Sequence, residues 1–397
     1  MIDDGHRPWL PLAGAMTPHL DDLQDTLKDG LALENGPEST ALCRFRRLAR
    51  REIGTDDYVI ELAHTFGCMI AHSVITEDSP SPWADRAATV LGDQSPALHH
   101  ALSPLLFENS RFQPRFDALE DVVRDEIAHL DVDLDQLPYL YEAIVSASSA
   151  NARRSGGVYY TPLALVSFIV RSVDELLIDE FGLPAGLADE GGRKGPFLRF
   201  LDPAMGTGLF LFEIVDRIAE RLGDLWRDEG LDEADIARRW TDYVQTSLAG
   251  RLQGYDICLA PIILAHLELA RRLRARGCHT SGPVGFHWAN PLDAEFGPDL
   301  FAPHRHTVIV GNPPYRSVSS HQNSWLDGLL DDYRQTPTGP MEERGNRNQL
   351  QDDYVKFLRL ADHGVGSAGI VAMVTNSSFY EGPWFRAMRY QLMKSSD

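Results

Sequence analysis

Three short segments carry residue types and spacings that could bind a nucleotide-like ligand and do chemistry. They are LDPAMGTG (201–208), LQGYDI (252–257) and TVIVGNPPY (307–315). Each contains apolar or aromatic residues typical of a buried strand, followed by polar residues or glycines. Ligands in open α/β sheets bind outside the carboxyl ends of the strands. The three segments therefore predict one binding site, built where three strands end.

The segment LDPAMGTG predicts a tight turn between a strand and a helix. Gly206 and Gly208 would let the backbone approach a ligand closely, and the following helix would offer N–H groups at its N-terminus. The G-x-G spacing lacks the third glycine of a dinucleotide motif and the Lys-Ser/Thr of a P-loop. Asp202 would suit a cationic partner such as an amino group, and Asp256 could hold ribose hydroxyls. Together they indicate a nucleoside-bearing cofactor, with an ordinary turn and a helix-capping aspartate as the alternatives.

The segment GNPPY predicts a stiff turn after a buried strand, because proline fixes its own backbone and restricts the residue before it. The Asn312 side-chain oxygen and the Pro313 carbonyl could both accept hydrogen bonds from one exocyclic amine. Tyr315 could stack on the flat ring that carries this amine, so phenylalanine is expected to be tolerated there. Two fixed acceptors would favour attack of the amine on a sulfonium methyl group without a strong base or a metal. A plain turn is the alternative.

Strand and helix patterns alternate after about residue 160. FLRFLD, LQGYDI, TVIVG and GIVAMVTN are predicted strands, and LFLFEIVDRIAERL and LAPIILAHLELARRLRARG are predicted helices. Thr161 and Pro162 are expected to be the N-cap and first residue of a helix that ends near Phe181. The alternation predicts an α/β fold with a doubly wound, Rossmann-like parallel sheet. The polar segment 316–351 has no strand signal and predicts a long functional loop.

The N-terminal segment 1–150 predicts a separate, acidic helical domain. Val59, Leu62 and Phe66 recur at helical spacing. This segment holds 11 of the 37 Lys and Arg residues but 26 of the 58 Asp and Glu residues. The polar segment NARRSGG (151–157) suits a junction to a second domain, 151–397. A formal net charge of −21 argues against a broad basic DNA-binding surface, so phosphate contacts would come from a local groove or from elsewhere.

The sequence features that mark cellular location predict a cytoplasmic protein. The N-terminus MIDDGHRPWL lacks the basic start and apolar stretch of a signal peptide, and no run of eighteen apolar residues occurs. The four cysteines form no C-x-x-C pair. The sequence therefore predicts no membrane association, no disulfide framework and no metal site.

As a set, several motifs resemble those of gamma-class adenine-N6 DNA methyltransferases. They are GVYYTP, FIVRSVDELL, LDPAMGTG, RLQGYDICLAPIILAHLEL, VIVGNPPY, DDYVKF and VTNSSFYEGPWFRAMR. The resemblance covers about residues 155–397 and is greatest to the methyltransferase portion of type ISP restriction-modification enzymes and related phage-defence methylases. It implies transfer of a methyl group from S-adenosylmethionine to the N6 amine of a flipped adenine in double-stranded DNA. The acidic helical segment resembles the coupler of the type ISP enzymes.

The resemblance also implies a set of site residues. Expected cofactor contacts are Tyr160, Thr161, Asp202, Ala204, Gly206, Gly208, Asp256, Ile257 and Asn290, and expected catalytic residues are Asn312, Pro313 and Tyr315. The methionine end of the cofactor would lie near Tyr160, Thr161 and the glycine turn. Its ribose would lie on Asp256 and its adenine against Ile257. Asn290 stands where many relatives carry an aspartate, and an amide keeps the acceptor without the charge.

In this family, two more strands, an aromatic residue that packs on the flipped base and a target-recognition domain follow the helix FRAMRYQLMK. The sequence ends at Asp397. The resemblance therefore predicts an incomplete methyltransferase domain that works with a target-recognition domain or other restriction or defence subunits. Two alternatives remain open. One is a methyltransferase for glutamine side chains or RNA, because NPPY suits any planar amine or amide, and the other is a cofactor- or partner-binding module without catalysis.

Overall fold

The computed structural model describes thirteen stretches of the chain. They are residues 7–32, 41–43, 45–49, 58–76, 81–107, 111–131, 133–148, 161–190, 198–293, 306–315, 324–341, 349–365 and 368–395. Two parts of the predicted map, Tyr160 and the segment NARRSGG, lie outside the described residues. The predicted division into two domains at this segment therefore stays a prediction.

The described part of the N-terminal segment 1–150 is helical, as predicted. Its helices are α1 (Leu10–Ala32), α2 (Tyr58–Thr76), α3 (Trp83–Gln94), α4 (Pro96–Phe107), α5 (Gln113–Ile127) and α6 (Leu140–Ser148). Leu62, Phe66 and Ile70 of α2 are fully buried. This helix is long and apolar enough to cross a membrane, but 78% of its most apolar window is buried inside the protein. Protein neighbours therefore cover the apolar surface of α2, as they do for a core helix.

A parallel sheet forms the centre of the rest of the chain. Its strands are β1 (Leu198–Asp202), β2 (Leu252–Asp256), β3 (Gly285–Trp288), β4 (His306–Gly311) and β7 (Gly369–Met373). They lie side by side in the order β3-β2-β1-β4-β7, and every neighbouring pair is parallel. The carboxyl ends of β1, β2 and β4 therefore meet at one edge of the sheet. Two-residue strands β5 (Gln335–Thr336) and β6 (Gly339–Pro340) form a separate antiparallel pair.

Helices cover both faces of this sheet. The helices of this region are α7 (Leu163–Asp179), α8 (Leu209–Asp228), α9 (Glu233–Tyr243), α10 (Leu259–Arg274), α11 (Ser324–Leu330), α12 (Asp353–Gly364), α13 (Ser378–Glu381) and α14 (Arg386–Ser395), and members of this set pack on each face. Side chains alternate along a strand. Phe200 of β1 accordingly packs in a cluster with α7, α8 and α10, whereas Leu201 packs with α11 and α12. The fold is the predicted doubly wound α/β fold.

The structure corrects two local predictions and adds one strand. The strand β3 was not predicted, because GFHW is short and its His287 is exposed. The helix predicted from Thr161 begins at Leu163, and the Thr161 hydroxyl does not cap it. The predicted loop 316–351 contains α11 and the β5–β6 pair among its described residues.

The helices of the N-terminal segment pack directly on the sheet region. α2 runs along α10, and buried residues of both belong to one hydrophobic cluster that also includes α7 and α8. Burial of apolar surface is the main favourable term in folding. The N-terminal segment and the sheet region thus share a hydrophobic core in this structure.

Candidate active site

A cavity lies at the carboxyl ends of β1, β2 and β4. Its lining residues are Glu142, Thr161, Asp202, Pro203, Ala204, Met205, Gly206, Thr207, Leu209, Phe210, Asp256, Ile257, Cys258, Asn290, Pro291, Asn312, Pro314, Asp353 and Phe357. The three segments singled out in the sequence meet here, as the topology of the sheet requires. Of the twelve predicted site residues, the structure describes eleven, and eight of these line the cavity.

Two carboxylates hold the glycine turn between β1 and α8. Asp202 Oδ1 accepts a hydrogen bond from Ala204 N at 3.0 Å, and Asp256 Oδ2 accepts one from Gly206 N at 2.9 Å. Gly206 and Gly208 have φ angles of 53° and 94°, a left-handed conformation that favours glycine. Each carboxylate oxygen has a further lone pair. Both aspartates can therefore shape the turn and still accept hydrogen bonds from a ligand.

The cavity is acidic. Glu142, Asp202, Asp256 and Asp353 line it, and its described lining includes no Lys, Arg or His. Burial, with the nearby Asp256, raises the pKa of Asp202 from 3.8 to about 8. Burial also raises the pKa of Asp256 to about 6, although hydrogen bonds from backbone N–H groups oppose the shift. A cationic ligand would favour the ionised form of both groups.

Gly311 brings the NPPY segment close to Asp202. Its φ is 150°, and a Cβ atom at this position would lie 2.6 Å from Asp202 Oδ1. Only glycine leaves room for the backbone to pass this carboxylate at van der Waals distance. The glycine in GNPPY is therefore required by the close approach of β4 to the end of β1.

Asn312 is held from two sides. Its Nδ2 donates to Thr161 Oγ1 at 3.0 Å, and its Oδ1 lies 2.8 Å from the Tyr315 hydroxyl. That hydroxyl also lies 2.9 Å from the carbonyl oxygen of Val374, so its single proton is shared between two acceptors. Thr161 is itself fixed, because the buried Tyr139 hydroxyl donates to its carbonyl at 2.8 Å. These contacts set the direction of the Asn312 acceptor oxygen, which keeps a second lone pair.

The Tyr315 ring packs beside Tyr354 of α12, with ring centroids 5.9 Å apart. It belongs to the edge of a cluster formed by α12, α14 and neighbouring residues. The sequence indicates a role for the Tyr315 ring alone, and the structure adds contacts of its hydroxyl. The hydroxyl connects Asn312 to Val374, which follows β7, and phenylalanine cannot make that connection.

The two residues predicted to contact the cofactor adenine differ in how far their side chains are exposed to a ligand. Ile257 is 39% exposed, so an apolar surface faces the cavity beside Asp256. Asn290 is buried, and its side chain forms a local turn: Oδ1 accepts from Leu292 N and Nδ2 donates to Asp293 Oδ1, both at 3.1 Å. The Asn290 amide therefore has partners within its own turn. A role in holding the cofactor adenine stays a prediction.

Some predicted residues do not line the cavity, and some lining residues were missed. Among the described residues, Gly208, Pro313 and Tyr315 are outside the lining, and Pro314 is inside it. Glu142, Asp353 and Phe357 were not predicted as site residues. Asp353 and Phe357 lie in the motif DDYVKF, where a spacing of four on one helix places them on the same face. Glu142 of α6 carried no comparable signal.

Solved structures with similar folds include complexes with DNA and restriction-modification enzymes. The DrdV–DNA complex matches with a TM-score of 0.70 and 21% identity over 99% of this chain and 38% of that chain. The ATP-dependent type ISP restriction-modification enzyme LlaBIII bound to DNA matches with a TM-score of 0.61 and 18% identity. This match covers 96% of this chain and 26% of that chain. The type IIL restriction-modification enzyme MmeI in complex with DNA matches with a TM-score of 0.53 and 20% identity, over 97% of this chain and 53% of that chain. The chain thus shares the fold of these proteins, and it spans between 26% and 53% of their length.

The sequence identifies the family within this fold. The model of the N-6 DNA Methylase family matches residues 132–396, and the chain belongs to that family. No curated protein matches the chain by sequence. The matched region contains all the site residues described above, from Glu142 to Phe357.

Proposed function

We propose that this chain transfers a methyl group from S-adenosylmethionine to the N6 amine of an adenine in DNA, within a restriction-modification or phage-defence system. The observation that carries the proposal is the meeting of the glycine turn, Asp256 and Asn312 in one cavity. Membership of the N-6 DNA Methylase family and the DNA-bound relatives support the substrate. The enzyme would act in the cytoplasm, where it would meet its DNA substrate.

The residues of the cavity fit S-adenosylmethionine. Its ammonium and sulfonium groups are cationic, and the described lining is acidic. Asp202, Ala204, Gly206 and Thr161 would surround its methionine part, with Tyr160 and Gly208 completing the predicted set. Asp256 would accept hydrogen bonds from its ribose, and Ile257 and Asn290 would lie at its adenine. When bound, the cofactor supplies a methyl group on a positively charged sulfur, a strong electrophile.

Asn312, Pro313 and Tyr315 would act on the target amine. The Asn312 side-chain oxygen and the Pro313 carbonyl would accept hydrogen bonds from the two N–H groups, which makes the nitrogen lone pair available along the line of attack. Once the methyl group is transferred, the methylated nitrogen would release one of these protons to solvent. Fixed acceptors of this kind stabilise the positive charge that develops on the amine without having to reorganise. Tyr315 would hold Asn312 through its hydroxyl. The adenine would have to leave the DNA stack to reach these residues, since a paired base hides its N6 amine.

The decisive experiment measures transfer of a labelled methyl group from S-adenosylmethionine. Double-stranded DNA, RNA and a glutamine-containing peptide are compared as acceptors, and digestion of the DNA identifies the methylated base. N6-methyladenine in DNA supports the proposal. Transfer only to RNA or peptide, or cofactor binding without transfer to any acceptor, supports one of the two alternatives instead.

Asn312 variants provide the matched comparison. Asn312→Ala removes an acceptor that the transition state uses, so transfer should fall by roughly a hundredfold or more. Asn312→Asp keeps an acceptor oxygen at the same position and should retain part of the rate. Cofactor affinity should be similar in both variants. Equal rates for wild type and Asn312→Ala would show that NPPY serves only as a turn.

A further inference from the structure

A carboxylate of the N-terminal helical segment reaches the rim of the candidate active site. Glu61 of α2 accepts a hydrogen bond through Oε2 from Leu259 N at 3.1 Å, across 198 residues of sequence. Leu259 is the first residue of α10, and the N-cap residue Cys258 makes no side-chain capping bond. The first N–H groups of a helix have no partner inside the helix. Glu61 supplies such a partner from another element.

The backbone just before Leu259 carries two predicted cofactor contacts. Asp256 Oδ1 accepts from Cys258 N at 2.8 Å, while Asp256 Oδ2 accepts from Gly206 N. The carbonyl oxygen of Ile257 accepts from Trp288 Nε1 at 3.0 Å. Residues 256–258 are therefore held by the glycine turn, by β3 and, one residue further on, by Glu61 of α2.

We propose that Glu61 is a positioning residue for the cofactor pocket. It fixes the N-terminus of α10 and thereby the placement of the Asp256 carboxylate and the Ile257 side chain. Glu61 is not among the described residues that line the cavity, so it acts through Leu259 and Cys258. The role rests on the proposed binding of S-adenosylmethionine in this cavity.

The electrostatics around Glu61 agree with this connection. Loss of water raises the pKa of Glu61 to about 7, the Leu259 N–H opposes the shift, and the charge of Asp256 adds to it. The carboxyl groups of Glu61 and Asp256 thus interact. A carboxylate is also favoured at the positive N-terminal end of a helix.

The same interface offers a matched control far from the cavity. Asp93 of α3 accepts hydrogen bonds from Ser281 N at 2.9 Å and from Gly282 N at 3.3 Å. Ser281 and Gly282 precede β3, at the amino ends of the strands, which is the edge of the sheet opposite the cavity. Glu61 and Asp93 therefore make the same kind of contact between the helical segment and the sheet region. A purely structural role predicts similar consequences for the loss of either one.

The test compares the affinity for S-adenosylmethionine by calorimetry with the stability to urea. Glu61→Ala should bind the cofactor about tenfold more weakly, since one hydrogen bond to a charged group has about this effect. Glu61→Gln keeps an acceptor oxygen and should recover most of the affinity. Asp93→Ala should lose stability but bind the cofactor normally. If Glu61→Ala does not fold, Glu61→Met, which has similar length but no oxygen acceptor, replaces it in the comparison with Glu61→Gln.

A double-mutant cycle with Asp256→Asn tests the route of the effect. If Glu61 acts through Asp256, Glu61→Ala should weaken binding much less in the Asp256→Asn background. Additive effects, or equal losses of affinity in Glu61→Ala and Asp93→Ala, would overturn the proposal. So would wild-type affinity in Glu61→Ala. Failure of the wild-type chain to bind S-adenosylmethionine would instead refute the proposed function.

Discussion

Replacement of Tyr315 by phenylalanine tests the connection between the NPPY segment and the strand beside it. The change keeps the ring next to Tyr354 and removes the hydroxyl that lies 2.8 Å from Asn312 Oδ1 and 2.9 Å from the Val374 carbonyl. One hydroxyl proton serves both acceptors, so about one hydrogen bond is lost. A neutral hydrogen bond contributes about 0.5–1.5 kcal/mol. If this energy positions Asn312 in the transition state, methyl transfer should slow by about 2- to 10-fold.

The assay is the initial rate of transfer of labelled methyl groups to DNA, measured together with the cofactor dissociation constant. The matched control is Tyr380→Phe, because Tyr380 is 73% exposed and follows the same strand. Cofactor affinity should change little, since Tyr315 is outside the described lining of the cavity. Tyr315→Ala should lose more, because the ring contact is removed as well. A Tyr315→Phe rate equal to that of Tyr380→Phe, or a parallel loss of cofactor affinity, would refute the reasoning.

Three further predictions concern the same edge of the sheet. Gly311→Ala places a Cβ 2.6 Å from Asp202 Oδ1 at a φ of 150°, and should lower the free energy of unfolding in urea by ~1–3 kcal/mol. The control is Gly328→Ala, whose Cβ would have nothing within 4 Å and which should not destabilise the protein. Equal losses of unfolding free energy in the two variants would contradict strain at Gly311. The pKa of Asp202 rises from 3.8 to about 8 on folding, so its contribution to stability is fully present below pH 3.8 and is lost as the pH rises through about 8. Asp202→Asn should therefore gain stability relative to wild type between pH 5 and pH 8, and the same difference in urea unfolding at both pH values would show that folding does not raise the pKa of Asp202 into this range. Asp256→Ala should weaken binding of S-adenosylmethionine by ~1–3 kcal/mol in calorimetry, and an unchanged affinity would exclude Asp256 from the cofactor site.

The fold could be predicted because its signals are local in sequence. The mainly apolar segments at 198–202 and 307–311, with the glycine turn after the first and Gly311 at the end of the second, mark buried parallel strands whose ends must meet. The strand β3 lacked this signal, since four residues with one exposed histidine do not form an apolar run. The start of α7 was misplaced because threonine is a common N-cap residue. In the structure, the Thr161 hydroxyl instead accepts a hydrogen bond from the Asn312 side chain.

The site could be predicted to the level of segments but not to the level of side-chain contacts. Glu142 and Glu61 come from helices whose sequences contain no motif, and only packing of α2 and α6 against the sheet region brings them to this edge. The direction of the Tyr315 hydroxyl depends on Val374, 59 residues away. Asn290 is a different case, because the sequence NPLD is itself typical of a turn closed by the asparagine side chain. Its local contacts could have been predicted.

The hydrogen bonds that assemble the cavity join parts of the chain that are distant in sequence, and this has a kinetic consequence. Thr161 meets Asn312 across 151 residues, and Gly206 meets Asp256 across 50. Contacts of high sequence separation form slowly, because chain entropy is lost before they are made. We therefore expect partly folded chains to lack the cofactor cavity. A ligand that binds only the native chain stabilises it by mass action. Added S-adenosylmethionine should accordingly lengthen the lifetime of the folded protein in denaturant while leaving its refolding rate unchanged.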